Sequence, residues 1–306
     1  MGNLQESTVF FKDSFIAFDE AKLSIASSPV LYGLSVYTVF SVNKTANGMA
    51  VFRLQDHFNR LRESCQIIGI DGFEKTWSYQ KFEKVTKELI TKNNVTEDVF
   101  VRATVHVDAI LPGTKSRGLP VSLSMFIYPA HSIMPVEGAR LKTSVWRRIP
   151  DMAIPARAKV NGAYVNSVLA KQDAIDSGHD DCIFLDIDGH VCELSAANIF
   201  LVKKGVIITP DTTSDLLEGI NRKTVIELAQ ELGYVVEERI VDLTELYIAD
   251  EVFACGTSSY ITSIKEIDAR TIGNGDTGRI TQELASHHNN LLHGNHKLAE
   301  THLTRC

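Results

Sequence analysis

The sequence predicts an α+β fold in two domains, and three observations carry that prediction. The chain has 306 residues, and at roughly 150 residues per domain this length asks for two domains or one large one. Period-2 alternation and helical periodicity follow one another along the same stretches, so strands and helices share a domain. Six of the eight prolines (Pro112, Pro120, Pro129, Pro135, Pro150 and Pro155) crowd one region, which therefore cannot be a single regular element. A boundary placed there gives a small N-terminal α/β domain over 1–128, an interdomain loop over 129–137, and a larger, barrel-like C-terminal α/β domain over 138–306. Ligand sites favour such interdomain clefts.

The first domain reads strand, strand, helix, helix, strand. Val36 to Val42 is β-branched and aromatic, and Met49 to Arg53 follows across Asn47-Gly48, a hairpin signal. Leu54, Phe58, Leu61, Cys65 and Ile68 recur at helical spacing, as do Phe82, Val85 and Leu89. Asp98 to Val107 alternates, with valines and Ala103 on one face and Phe100, Arg102, Thr104 and His106 on the other. In the second domain a helix is expected over Ala163 to Ser177, then a hairpin around Asp188-Gly189 and another through Lys204-Gly205. Gly219 precedes an amphipathic helix that Gly233 stops, and Glu251 to Cys255 is a short buried strand.

Composition excludes several functions. With 31 basic against 38 acidic residues, the net charge of −7 lacks the cationic field that a nucleic acid or an anionic membrane attracts. Apolar runs such as Ile199 to Val202 are strand-length, far below the ~20 residues of a spanning helix. The first residues carry neither a basic start nor an apolar run, so no signal peptide is expected, and Glu6 spoils a myristoylation pattern. Five cysteines without a CxxC pair point to reduced thiols and a cytoplasmic location.

Three patterns have plainer readings than their motifs. Gly273 to Gly278 spells G-x-G-x-x-G, but too little chain follows for a βαβ unit, so it reads as a turn. Asp186 to Gly189 resembles the start of a calcium loop without its later ligands, and no metal is implied. His287, His288, His293, His296 and His302 read as a solvated or frayed end.

The combination that carries chemistry runs through Arg157-Ala158-Lys159, Tyr164-Val165-Asn166, Glu193-Leu194-Ser195, Leu217-Glu218-Gly219-Ile220-Asn221-Arg222 and Ala249-Asp250-Glu251, ending at Gly256-Thr257. In this order and spacing it resembles the class IV aminotransferases, pyridoxal 5'-phosphate enzymes of fold type IV, and within them the branched-chain amino-acid enzymes. The resemblance implies that Lys159 is the catalytic residue, forming the Schiff base with the cofactor aldehyde and moving the proton. It implies that Glu193 faces the pyridine nitrogen and that Tyr164 bonds the ring oxygen. For the cofactor phosphate it implies Arg60, the helix start at Gly219, Ile220 and Asn221, and the Thr257 hydroxyl. It also implies amino- and keto-acid substrates and a homodimer, or a higher homo-oligomer, with the active site at the interface.

For the substrate, the resemblance marks Tyr32, Tyr37, Val39, Ser41, Arg102, Thr257 and Ser258. Arg102 matches an arginine near the substrate carboxylate, where its guanidinium could clamp both oxygens. The facing tract departs from the branched-chain pattern. Those enzymes resemble one another in Phe-Glu-Gly-Ile-Arg, whereas this chain reads Tyr37-Thr38-Val39-Phe40-Ser41, similar to (R)-selective amine transaminases. The reading is amino transfer from branched-chain amino acids to 2-oxoglutarate. An (R)-amine or D-amino-acid transaminase, an aminodeoxychorismate lyase and a non-catalytic cofactor-binding protein are the alternatives.

Overall fold

The computed structural model describes residues 4–306. Residues 1–3, on which the leader and myristoylation readings partly rest, lie outside the described residues. The chain divides into two compact units, 1–130 with 158–163 and 291–306, and 131–157 with 164–290. The α+β expectation is met in both.

The first unit opens with β1 (Thr8–Phe11), β2 (Ser14–Ala17) and α1 (Ser28–Tyr32). The hairpin β3 (Ser35–Thr45) and β4 (Gly48–Phe52) follows, then α2 (Leu54–Ile67), α3 (Phe73–Thr76), α4 (Tyr79–Lys92), β5 (Val99–Val107) and β6 (Val121–Pro129). On β5 the predicted apolar face, Val99, Val101, Ala103, Val105 and Val107, is buried in the core beneath α2 and α4, but Phe100 and Thr104 on the other face are buried as well, leaving only Arg102 and His106 partly exposed. There Phe58 packs against Phe82 with ring centroids 5.3 Å apart, and a fully buried phenylalanine of this kind contributes about 1.5–3 kcal/mol. The Ser78 side chain caps α4 by accepting from the Lys81 amide.

The second unit comprises β7 (Ala139–Thr143), α5 (Tyr164–Asp176), β8 (Asp181–Leu185), β9 (Val191–Leu194), β10 (Asn198–Lys203) and β11 (Val206–Thr209). It continues through α6 (Ile220–Glu231), β12 (Val236–Glu238), α7 (Leu243–Tyr247), β13 (Glu251–Gly256), β14 (Tyr260–Ile267), β15 (Arg270–Thr271) and α8 (Arg279–Leu292). Its sheet runs β12-β11-β10-β13-β14-β7-β8-β9, with β15 added to β14. Both predicted hairpins are present, β8 with β9 and β10 with β11. At the first, the Asp186 side chain accepts from the amides of Asp188 and His190, which explains the aspartate without any metal.

The chain then returns to the first unit with α9 (Ala299–His302) and β16 (Leu303–Arg305), completing a sheet ordered β16-β4-β3-β5-β6-β1-β2. Two stretches that sequence order places in the second domain thus pack with the first unit. The physical reason is edge pairing. β16 pairs with β4, and the 158–163 stretch lies along the start of β3, where the Tyr37 amide donates to the Lys159 carbonyl at 3.0 Å and the Asn161 amide to the Ser35 carbonyl at 2.9 Å.

Candidate active site

Lys159 is fixed in the first unit by its main chain. Beyond the bond to Tyr37, its own amide donates to Ser64 Oγ at 3.1 Å, and Ser64 donates to the Arg60 carbonyl at 2.8 Å. His57, Arg60 and Ser64 are spaced i, i+3, i+7 along α2, one helical face. The approach of the lysine segment needs two glycines. Gly33 has φ +64°, and a Cβ there would lie 2.8 Å from the Gly162 Cα, closer than atoms pack.

One aromatic ring gathers the cations. The Lys159 Nζ lies 4.9 Å from the Tyr37 ring centroid and the Arg102 Cζ 3.7 Å from it. Arg102 donates to Asn161 Oδ1 at 2.5 Å, and Asn161 donates onward to Ser35 Oγ at 2.6 Å. The strand register pairs Val39 with Arg102, Tyr37 with Thr104 and Ser41 with Phe100, so the tract that departs from the branched-chain pattern is opposite the predicted carboxylate arginine. Arg102 faces Phe126 on β6. Nearby His106 contacts Ser124 Oγ at 2.8 Å. Burial, with Arg102 adding to it against Asp108, lowers its pKa to about 4. Tyr32, at the end of α1, is 45% exposed.

In the second unit, Glu193 on β9 is buried and both carboxylate oxygens are engaged. Oε1 receives Arg148 Nη2 at 2.8 Å, while Oε2 accepts from Asn198 Nδ2 at 3.1 Å and from the Leu217 amide at 3.2 Å. Gly219 is the N-cap residue of α6, and a side chain there would collide with that of Asn198. The helix therefore starts close against the strand. The amides of Ile220 and Asn221 belong to the first turn, which a helix leaves unbonded within itself. Asn221 is buried and donates to Thr257 Oγ1 at 3.3 Å; Thr257 and Ser258 occupy the β13–β14 turn, where the Ser258 carbonyl accepts from the Ile133 amide at 2.9 Å. Tyr164 is the first residue of α5 and half-buried.

Several contributors escape sequence reasoning. Arg148 and Asn198 hold Glu193, and Asn161 holds Arg102. His288 contradicts the expectation of a frayed histidine-rich end. It is 2% exposed on α8, its Nε2 bonds Asn221 Oδ1 at 2.8 Å, and burial lowers its pKa to about 4. His293 bonds Asp98 at 3.0 Å. The signal was available, since Ile280, Leu284, His288 and Leu291 continue one helical stripe.

The chain belongs to the class IV aminotransferases, whose family model matches residues 35–267. It is similar to the probable branched-chain-amino-acid aminotransferase of Aquifex aeolicus, with 36% identity over 289 residues covering 93% of this chain and 92% of that protein. Among solved structures it resembles the branched-chain aminotransferase of the archaeon Thermoproteus uzoniensis with norvaline, at 34% identity and a TM-score of 0.93, covering 97% of this chain and 98% of that one. It also resembles the branched-chain amino acid aminotransferase of Thermobaculum terrenum in its PLP-bound holo-form, at 32% identity and a TM-score of 0.92, covering 99% of both chains.

Proposed function

We propose that the protein is a pyridoxal 5'-phosphate-dependent aminotransferase that moves the amino group of branched-chain aliphatic amino acids to 2-oxoglutarate. The observation that supports this reading is the common ring: Tyr37 has the Lys159 amine and the Arg102 guanidinium both beside it. A substrate carboxylate held by Arg102 would leave the neighbouring α-carbon within reach of the Lys159 amine.

The donor set fits the cofactor. The residues that the family resemblance assigns to it are Lys159, Arg60, Tyr164, Glu193, Gly219, Ile220, Asn221 and Thr257. When bound, it supplies an electron sink for the bonding pair left when a substrate proton departs. The chain's part is to bind, orient and move protons. The Lys159 amine would take the proton from the substrate α-carbon and give it back, its segment held in place by main-chain bonds to β3 and Ser64. Arg102, held by Asn161 and stacked on Tyr37, presents its remaining donors to the substrate carboxylate. Glu193 would accept a hydrogen bond from a protonated ring nitrogen, and Arg148 keeps the carboxylate in place.

The first test is a half-reaction panel with L-leucine, D-alanine and (R)-1-phenylethylamine, followed by the cofactor absorbance. L-leucine should react fastest, and Arg102→Ala should lower kcat/KM for 2-oxoglutarate by about 10–100-fold, the loss of a charged hydrogen bond. An unchanged kcat/KM would remove the carboxylate assignment. Val39, placed opposite Arg102 in the register, favours a second reading, an (R)-amine or D-amino-acid transaminase, which the other two donors test directly. Pyruvate release from aminodeoxychorismate without a keto-acid acceptor would instead favour the lyase. We also propose a cytoplasmic homodimer, checked by sedimentation; an active monomer would contradict it.

A further inference from the structure

Behind the sheet face that carries Tyr37, the next residue points into a buried polar cluster. Thr38 is 0% exposed and His57 1%. His57 Nδ1 lies 2.7 Å from Thr38 Oγ1, and the same hydroxyl accepts from Arg60 Nη2 at 3.3 Å. A hydroxyl can accept one hydrogen bond while making another, so it links an imidazole and a guanidinium without adding charge. The imidazole is held neutral, first by burial and then by the positive charges of Arg60, Lys159 and Arg53, which push its pKa well below 6.5. Its other nitrogen, Nε2, is buried with no hydrogen-bond partner among the described residues, and its ring packs on Phe40 at 5.6 Å. An unsatisfied buried nitrogen costs stability, so the ring keeps its place through packing and through the single bond to Thr38.

We propose that Thr38 and His57 are positioning residues for Arg60, fixing its guanidinium through one uncharged hydroxyl so that its positive charge is directed at a dianionic phosphate. A carboxylate at position 38, as in the Phe-Glu-Gly-Ile-Arg tract, would pair with Arg60 instead and draw on the same charge. The proposal rests on the reading of Arg60 as a ligand of the cofactor phosphate. It predicts that the Thr38–His57 pair governs how well the protein distinguishes a phosphorylated cofactor from the same ring without phosphate.

The experiment titrates the full-length protein, stripped of cofactor, with pyridoxal 5'-phosphate and with pyridoxal, following absorbance. Thr38→Val, nearly the same shape but lacking the hydroxyl, should raise Kd for pyridoxal 5'-phosphate roughly tenfold and leave Kd for pyridoxal within about twofold. Thr38→Ser should restore most of the difference. If Thr38→Val fails to fold, His57→Leu against His57→Asn gives the same comparison, because asparagine keeps a polar atom near the Nδ1 position. Equal weakening of both ligands, or none of either, overturns the proposal and leaves the pair a structural contact. Arg60→Met separates the two layers of the argument. If it leaves the phosphate preference intact, the assignment of Arg60 itself fails; if it abolishes the preference while Thr38→Val does not, only the positioning role fails.

Discussion

Replacing Arg148 with methionine tests how the buried glutamate is supported. The side chains of Arg148 and Glu193 are only 12% and 7% exposed, and they meet at 2.8 Å. Methionine fills much of the arginine's stem volume, so the packing loss is small, but Glu193 Oε1 loses its charged donor while Oε2 keeps Asn198 and Leu217. Breaking a buried pair from one side costs about 3–5 kcal/mol, because the surviving charge stays buried without compensation. Removing both charges in Arg148→Met/Glu193→Leu should recover part of that cost, giving an interaction energy of about 1–3 kcal/mol in the double-mutant cycle. The chain offers a convenient probe, since it has two tryptophans, Trp146 in the second unit and Trp77 in the first. Urea unfolding followed by Trp146 fluorescence in a Trp77→Phe background should show the destabilisation. A change below about 1 kcal/mol for Arg148→Met, or strict additivity in the cycle, would refute the reasoning.

Three further outcomes are expected. Gly33→Ala forces a left-handed backbone on a residue with a Cβ, about 1–2 kcal/mol, and pushes that Cβ into Gly162; Trp77 fluorescence during urea unfolding should report the lower midpoint, and an unchanged midpoint would show that the close approach is dispensable. Asn221→Ala removes the acceptor of His288 and the donor to Thr257, so a loss of about 1–3 kcal/mol is expected, read by thermal unfolding. The pH dependence follows from His106 and His288, both lowered from 6.5 to about 4 in the folded protein. Above pH 6.5 they are neutral whether folded or not, and as the pH falls the unfolded chain takes up protons that the folded one refuses. Stability should therefore drop with acid between about 6.5 and 4, by about 1.4 kcal/mol per pH unit for each histidine. Urea midpoints that stay flat from pH 7 to pH 5 would contradict the neutral burial of these rings.

Much of this was legible in the sequence because the relevant signals are local. The alternation of β5 picks out the residues of its core face and the helical stripe of α2 states which face is buried, and the turns at Asp188-Gly189 and Lys204-Gly205 fix the hairpins. The position of Lys159 was not legible in this way. Its partners on β3 stand more than 120 residues earlier in the chain, and nothing in the Arg157 to Gly162 stretch says which edge it joins. Arg148 was hidden for a related reason: it sits in a proline-flanked loop without periodicity, and its role appears only when β9 brings Glu193 to it. Asn198 opens a strand whose next four residues are apolar, a buried polar residue that needs a partner, and Glu193 five residues earlier is that partner.

The interrupted make-up of the first unit also bears on how the chain matures. Its sheet receives one edge partner from residues 158–163 and another from 303–305, so the opening 130 residues leave a ribosome with two strand edges unpaired. Synthesis at 5–20 residues per second would leave the β4 edge uncovered for roughly ten seconds or more while the second unit is being made. Such an edge invites pairing with other nascent chains. The unit whose residues come first in the chain is thus completed by residues that come last, and a fragment ending at residue 130 would lack the strand edges' partners altogether.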